Sequence, residues 1–174
     1  VTRVLKARGV PATFRATGQT GILIAGSGIA IDAVVADFIS GAAEVLSPPN
    51  APDHWDVIEG QGALFHPGYA GVTLGLLHGS QPDAIVMCHD PSRATIEDYP
   101  HIALPTLPEA IRHYLEAGRL TNGAIQCAGV AINSSSLSDQ EWRRYRAELS
   151  DALGLPVCDP MRGGVEAIVD RLLA

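Results

Sequence analysis

The chain has 174 residues, enough for one domain with a real core. Its 47% hydrophobic and 18% charged content is that of a globular protein and excludes intrinsic disorder. A net charge of -7, without a basic cluster, argues against an electrostatic grip on nucleic acid, and no apolar run is long enough to span a membrane despite a mean hydropathy of +0.15.

Val1 to Arg8 reads as the end of a helix closed by Gly9. Such an opening points to a piece of a longer protein, with at least one strand before that helix. Pro11 to Thr17 follows as a short strand, opening into a glycine-rich loop that begins Gly18-Gln19-Thr20-Gly21. Asp32 is placed to cap a helix whose apolar residues recur through about Leu46, before Pro48-Pro49-Asn50 stops it. Asp37 then sits in an apolar stretch, where a carboxylate is either buried or turned toward a site.

Val57-Ile58-Glu59-Gly60-Gln61-Gly62 follows, leading to Phe65-His66-Pro67. Apolar residues run into one carboxylate, then small residues and a histidine, as in a buried strand ending at a site rim. Open α/β sheets bind ligands beyond the carboxyl ends of their strands, and glycine lets backbone amides approach a ligand closely. Glu59 is therefore the leading candidate for a catalytic carboxylate, with His66 as a second proton carrier.

Val72 to His78 reads as a helix closed at Gly79, and Ala84 to Cys88 as a buried strand ending in His89-Asp90-Pro91. A proline-punctuated loop carrying Arg93 and His101 precedes a helix from about Leu107 to Ala117. A strand, Ile125 to Ile132, ends in Asn133-Ser134. The helix Ser138 to Leu153 opens with Ser138 and Glu141 at capping-box spacing. Pro156 to Cys158 is a last short strand, leading through Asp159-Pro160 and Arg162 to a closing helix, Val165 to Leu173.

Strands alternating with helices predict a three-layer α/β sandwich with a mostly parallel sheet, one domain over residues 1–174. Cys88, Cys127 and Cys158 lie in or beside apolar runs and read as buried free thiols of a reducing cytoplasm. No His/Cys cluster has metal-ligand spacing, so no metal is expected. A small-molecule substrate and a homo-oligomeric assembly are expected. The phosphate loop G-x-x-x-x-G-K-[ST] is absent from the chain. It belongs between the first strand and first helix of such folds, the part expected upstream.

Four motifs in order resemble one family: Ala16-Thr17-Gly18-Gln19-Thr20-Gly21, Val34-Val35-Ala36-Asp37-Phe38, Glu59-Gly60-Gln61-Gly62 with Phe65-His66-Pro67, and Gly71 to Gly79. They are similar to the C-terminal domain of the D-glutamate N-acetyltransferase family, long catalogued as a domain of unknown function. The resemblance implies a P-loop NTPase-like fold similar to dethiobiotin synthetase, and transfer of an acetyl group from acetyl-CoA to the amine of D-glutamate. It leaves Glu59 or Asp37 as base, with His66 helping. Gln19, Thr20 and Gly60-Gln61-Gly62 would line the reacting centre, Arg162 would meet a substrate carboxylate, and Asn133 and Ser134 would face the cofactor. The alternatives are an ATP-dependent ligase or kinase using Mg-ATP, and a non-catalytic metabolite-binding domain.

Overall fold

A computed structural model describes residues 1–174. Its elements in order are α1 (Thr2–Ala7), β1 (Ala12–Arg15), α2 (Gln19–Ala25), α3 (Ile39–Leu46), β2 (Trp55–Ile58), α4 (Ala70–Ser80), β3 (Ala84–His89), β4 (Thr95–Ile96) and β5 (Tyr99–Ala103). They continue with α5 (Leu107–Gly118), β6 (Gln126–Ile132), α6 (Asp139–Leu153), β7 (Val157–Cys158) and α7 (Glu166–Leu172). The fold is α/β, and its strand pairs are parallel except for β4 with β5. Two compact units are distinguished, one of residues 2–82 with 117–123 and one of residue 1 with residues 83–116 and 124–174.

In the first unit β1 pairs with β2, Ala12 opposite Trp55 and Arg15 opposite Ile58. A salt bridge from Arg15 Nε to Asp56 Oδ1, 2.7 Å, reinforces the pair. Leu5 of α1 is fully buried. Ile31, Ile39, Ala43 and Leu76 form the core of this unit, with Ile58 and Val72 against it. Helices α3 and α4 approach closely through two glycines. A Cβ on Gly75 would lie 2.4 Å from Ile39 Cγ2, and one on Gly79 would lie 2.2 Å from the Ser40 carbonyl oxygen. The Ser40 hydroxyl also donates to the Gly75 carbonyl at 3.2 Å.

In the second unit the strand order is β3-β6-β7. Ile111, Cys127, Val130, Ile132, Trp142 and Val157 form its core, with Leu107 and Leu115 of α5 and Tyr145 and Leu149 of α6 packed against it. Their i, i+4 spacing puts each helix's apolar residues on one stripe. The N-terminus of α6 has the expected capping box: Ser138 accepts from the Glu141 amide while Glu141 accepts from the Ser138 amide. Helix α7 contributes fully buried Ile168 and Val169, and Ile168 lies where a Cβ on Gly129 would be.

Several sequence expectations are corrected. Gln19–Ala25 is a helix, not a loop, because buried Gly21 admits a neighbouring side chain that any larger residue would expel. The helix expected over residues 32–46 is two 3-10 turns, Ile31–Ala33 and Ala36–Phe38, and becomes α only at Ile39. Val34 and Val35 between them are extended, as β-branched residues favour. Asp32 therefore lies within a 3-10 turn, and no side-chain bond caps it.

Helix α4 runs through Gly79 and ends at left-handed Gln81, since Gly79 serves helix packing rather than capping. The proline-punctuated loop contains the β4–β5 hairpin, turned at Asp98 with φ 63°, a conformation Asp tolerates better than most residues. Of the thiols, Cys127 and Cys158 are buried, but Cys88 is exposed on β3, a terminal strand of its sheet. No helix is long and apolar enough to cross a membrane.

The α3–α4 contact gives a paired test. Gly79→Ala drives a Cβ into backbone and should cost about 1–3 kcal/mol or more of stability. Gly71→Ala, at a position with nothing within 4 Å of an added Cβ, should be neutral or stabilise by up to ~1 kcal/mol. Urea unfolding of both variants checks the contrast; equal effects would mean that the close approach does not limit stability.

Candidate functional site

The first site forms where β1 and β2 end side by side. Parallel pairing of Arg15 with Ile58 delivers Thr17 and Glu59 to the same edge, and the Glu59 amide donates to the Arg15 carbonyl at 2.9 Å. Glu59 Oε2 accepts from the amides of Thr17, at 2.8 Å, and Gly18, at 3.0 Å. The buried Thr17 hydroxyl returns a bond to the Glu59 carbonyl at 2.8 Å. The other carboxylate oxygen, Oε1, is neither hydrogen-bonded nor sealed from solvent.

Helix α2 begins directly beyond this carboxylate. A Cβ on Gly21 would lie 2.1 Å from Glu59 Oε2, so only glycine leaves room for the acid at the first turn. The Gln61 side-chain amide covers Gly18, its Nε2 and Oε1 each 3.1 Å from the position of an added Cβ. Gln19 and Thr20 are exposed on the same turn. Glu59, Gln61, Gln19 and Thr20 thus gather around one helix start.

The loop after β2 is fixed from α4. The Thr73 hydroxyl donates to the Gln61 carbonyl at 3.0 Å. Gly62 adopts φ +66°, and a Cβ there would press on the Tyr69 carbonyl and Thr73 Oγ1 at 3.0 Å. Exposed Gly60 has nothing within 4 Å of an added Cβ. Further along, the rings of His66 and Tyr69 stack with centroids 4.3 Å apart. The Gly68 amide donates to His66 Nδ1 at 3.1 Å, which puts the proton of the neutral ring on Nε2.

Asp37 is exposed on its 3-10 turn. The expectation of a buried or site-facing acid held for a continuous helix, and the break at Val34-Val35 removes that premise. His78, read as a helix-end residue, donates from Nε2 to the Ala117 carbonyl at 3.0 Å.

Arg162, Asn133 and Ser134 belong to the other unit, and there they knit the loops after β6 and β7. Ser134 is fully buried, and its hydroxyl and amide both donate to Asp159 Oδ2. It supports the loop and has no surface for a cofactor. Arg162 donates to the carbonyls of Ser134, at 3.2 Å, and Leu137, at 2.7 Å, and pairs with Asp139 at 3.0 Å. Its guanidinium is engaged by the chain itself, unlike that of a residue held ready for a substrate carboxylate.

Asn133 is exposed and donates from Nδ2 to Asp90 Oδ2 at 3.1 Å. The hydroxyl and amide of Ser92 hold Asp90 below the usual carboxylate range, with Arg93 and Asn133 adding to them. Burial pushes the Asp159 carboxyl up, but Ser134, the Met161 amide and Arg162 together outweigh it and hold the group below its ordinary value.

Sequence reasoning passed over Thr73 and Tyr69, which brace the loop after β2. The signal available was Gly60-Gln61-Gly62 itself, since so flexible a run needs a partner to hold it. Asp159 reads in the sequence only as part of the connection from the last strand to the closing helix. Its position before Pro160, after a buried strand, was the available sign of an internal anchor.

Parallel strands alternating with helices define an α/β domain. The chain belongs to the family described as "Domain of unknown function (DUF1611_C) P-loop domain", which matches residues 1–169. It is 49% identical over 170 residues to a protein of Pseudoalteromonas sp named D-glutamate N-acetyltransferase, covering 98% of this chain and 51% of that relative. A protein of the same name from Tritonibacter scottomollicae is 46% identical over 170 residues, with the same coverage. The crystal structure of a DUF1611 family protein from Anabaena variabilis matches with a TM-score of 0.91 at 36% identity, over 99% of this chain and 51% of that one. The chain spans about half the length of these relatives.

Asp159 generates a pH prediction. Its folded pKa lies below the ordinary value of 3.8, so its stabilisation is fully present above that value and is lost as pH falls through the lower folded value. Asp159→Ala should cost on the order of 1.5–3 kcal/mol at neutral pH. The cost should shrink on acidification below about pH 4. Denaturant unfolding of both proteins across that range measures it, and a pH-independent difference would show that the carboxylate charge contributes nothing.

Proposed function

We propose that this chain is the catalytic-type domain of an acetyl-CoA-dependent N-acetyltransferase acting on the amine of D-glutamate or a related D-amino acid. The observation that carries the reading is 49% and 46% identity, across 98% of the chain, to proteins named D-glutamate N-acetyltransferase. The geometry supports it at Glu59.

The substrate ammonium must lose a proton before its nitrogen can attack a thioester carbonyl. In the proposed reaction Glu59 Oε1 receives that proton, while Oε2 stays anchored on the amides of Thr17 and Gly18. The carbon–nitrogen bond then forms, the carbon–sulfur bond breaks, and the thiol leaves with a proton. Gln61, Gln19 and Thr20 border the same helix start and supply polar contacts to the substrate. The Nε2–H tautomer of His66 suits a hydrogen-bond donor for the developing oxyanion better than a base. With Arg162 engaged by carbonyls, the amides and side chains around Gly60-Gln61-Gly62 are the proposed partners of the substrate carboxylates.

Mass spectrometry with acetyl-CoA and D- or L-glutamate, on the complete gene product, tests the activity. Acetyl-D-glutamate is the expected product. Glu59→Gln keeps an acceptor for the two amides but loses the base, and should lower kcat by roughly 100-fold or more. Near-normal turnover would remove Glu59 from that role. No product with either amino acid would overturn acetyl transfer to glutamate and favour Mg-ATP chemistry, to which the family's P-loop description points.

A further inference from the structure

Helix α3 is apolar over more of its surface than this chain covers. Ile39, Ala43 and Leu46 are buried within the unit of residues 2–82 and 117–123. Phe38 at the N-cap, then Gly41, Ala42 and Val45, recur at i, i+3, i+4 and i+7, a second stripe on the same helix. Phe38 is 68% and Val45 72% exposed, and Val35 stands exposed three residues ahead of Phe38. Within the helix only Ser40 and Glu44 are polar, and the Ser40 hydroxyl already donates to the Gly75 carbonyl. A surface helix ordinarily keeps one apolar stripe and a polar opposite face, whereas a helix apolar on most sides is a buried one.

Gly41 gives an independent sign. A glycine in mid-helix costs stability relative to alanine. Gly75 and Gly79 have a reason inside this chain, since Ile39 and Ser40 fill the space that a Cβ would take. At Gly41 nothing lies within 4 Å of an added Cβ. Its smallness serves no contact inside the chain and suits the close approach of a backbone from outside it.

The border of the stripe is acidic. Asp37 and Glu44, both exposed, immediately precede Phe38 and Val45. Between Arg15 and Arg93 the chain has no lysine or arginine, so the 3-10 turns before α3 and helix α4 behind it supply none. A second copy meeting this stripe across a two-fold axis would set these acids against themselves. An anionic lipid surface is disfavoured for the same reason. The surface that fits is apolar at its centre and basic at its edge.

About half the length of the relatives lies outside the region they share with this chain. Covalent attachment holds such a segment at high effective concentration beside the domain. We infer that in the complete gene product this remaining segment docks on the second stripe of α3, through apolar side chains flanked by lysine or arginine. The inference does not rest on the acetyl-transfer reading, and Glu59 has no part in it.

Hydroxyl-radical footprinting of the complete gene product, read by mass spectrometry at Phe38, tests the docking. Native Phe38 should be oxidised about tenfold or more slowly than in the unfolded protein, as at the dry core of an interface. Dilution should leave that protection unchanged. Glu44→Lys, a reversal of one surface charge, should raise Phe38 oxidation toward the unfolded rate. Gly41→Leu should do the same, with circular dichroism showing whether the helices survive.

Phe38 oxidised at roughly the unfolded rate in the native wild-type protein would show an open stripe and overturn the inference. Protection that vanishes on dilution, together with a fall in light-scattering mass, would place a second copy there and overturn it as well. Protection that Glu44→Lys leaves unchanged would sink the basic-edged partner.

Discussion

Two backbone amides converging on one oxygen of Glu59 are the constraint from which the candidate site is built. They tie the start of α2 to the end of β2, while the Thr17 hydroxyl ties the two strand ends in the opposite direction. The carboxylate is thereby oriented before any ligand arrives, with one oxygen fixed and one available. Preorganisation of this kind is what a catalytic or binding acid requires, because no reordering is left for the moment of reaction. The same bonds explain why Gly18 and Gly21 flank the acid so closely: each lies under a side chain that a Cβ would displace.

Glycine has three different tasks in this unit. Gly21 makes room for a charged group, Gly62 takes a left-handed turn, and Gly75 and Gly79 let two helices touch backbone to side chain and backbone to backbone. In sequence these uses look alike. Gly79 illustrates the problem, since a glycine near the end of a helical pattern ordinarily reads as its stop. Here the helix continues through it, and Gln81 takes the left-handed stop.

The parts of the fold legible in the sequence were those governed by strong local periods. The strands ending at Ile58, His89 and Ile132 and the capping box of α6 depend on apolar runs or a fixed Ser-x-x-Glu spacing, and both survive tertiary context. What was not legible depended on partners distant in the chain. Helix α2 exists around a carboxylate about 40 residues on, and the 3-10 turns before α3 reflect packing of Ile31 and Ile39 into one core. Hairpin β4–β5 has strands of two and five residues, too short to carry a period. The candidate site divides in the same way. Glu59 and the glycines around it stood out by type and order. The internal anchoring of Ser134 and Arg162 did not, because nothing in a single sequence separates a polar group facing solvent from one facing Asp159.

Strand β3 has a further consequence. It ends its sheet, pairing with β6 along one flank only, yet it carries the apolar run Ile85-Val86-Met87-Cys88. A strand flank with no paired neighbour, beside such side chains, is a template on which another extended segment can grow. Asp83 before the run and Asp90 just beyond it are its acidic neighbours in sequence, like gatekeepers that raise the cost of stacking identical strands in register. The run that makes β3 a good interior strand is thus also the one that, on an uncovered edge, would favour pairing between molecules as concentration rises.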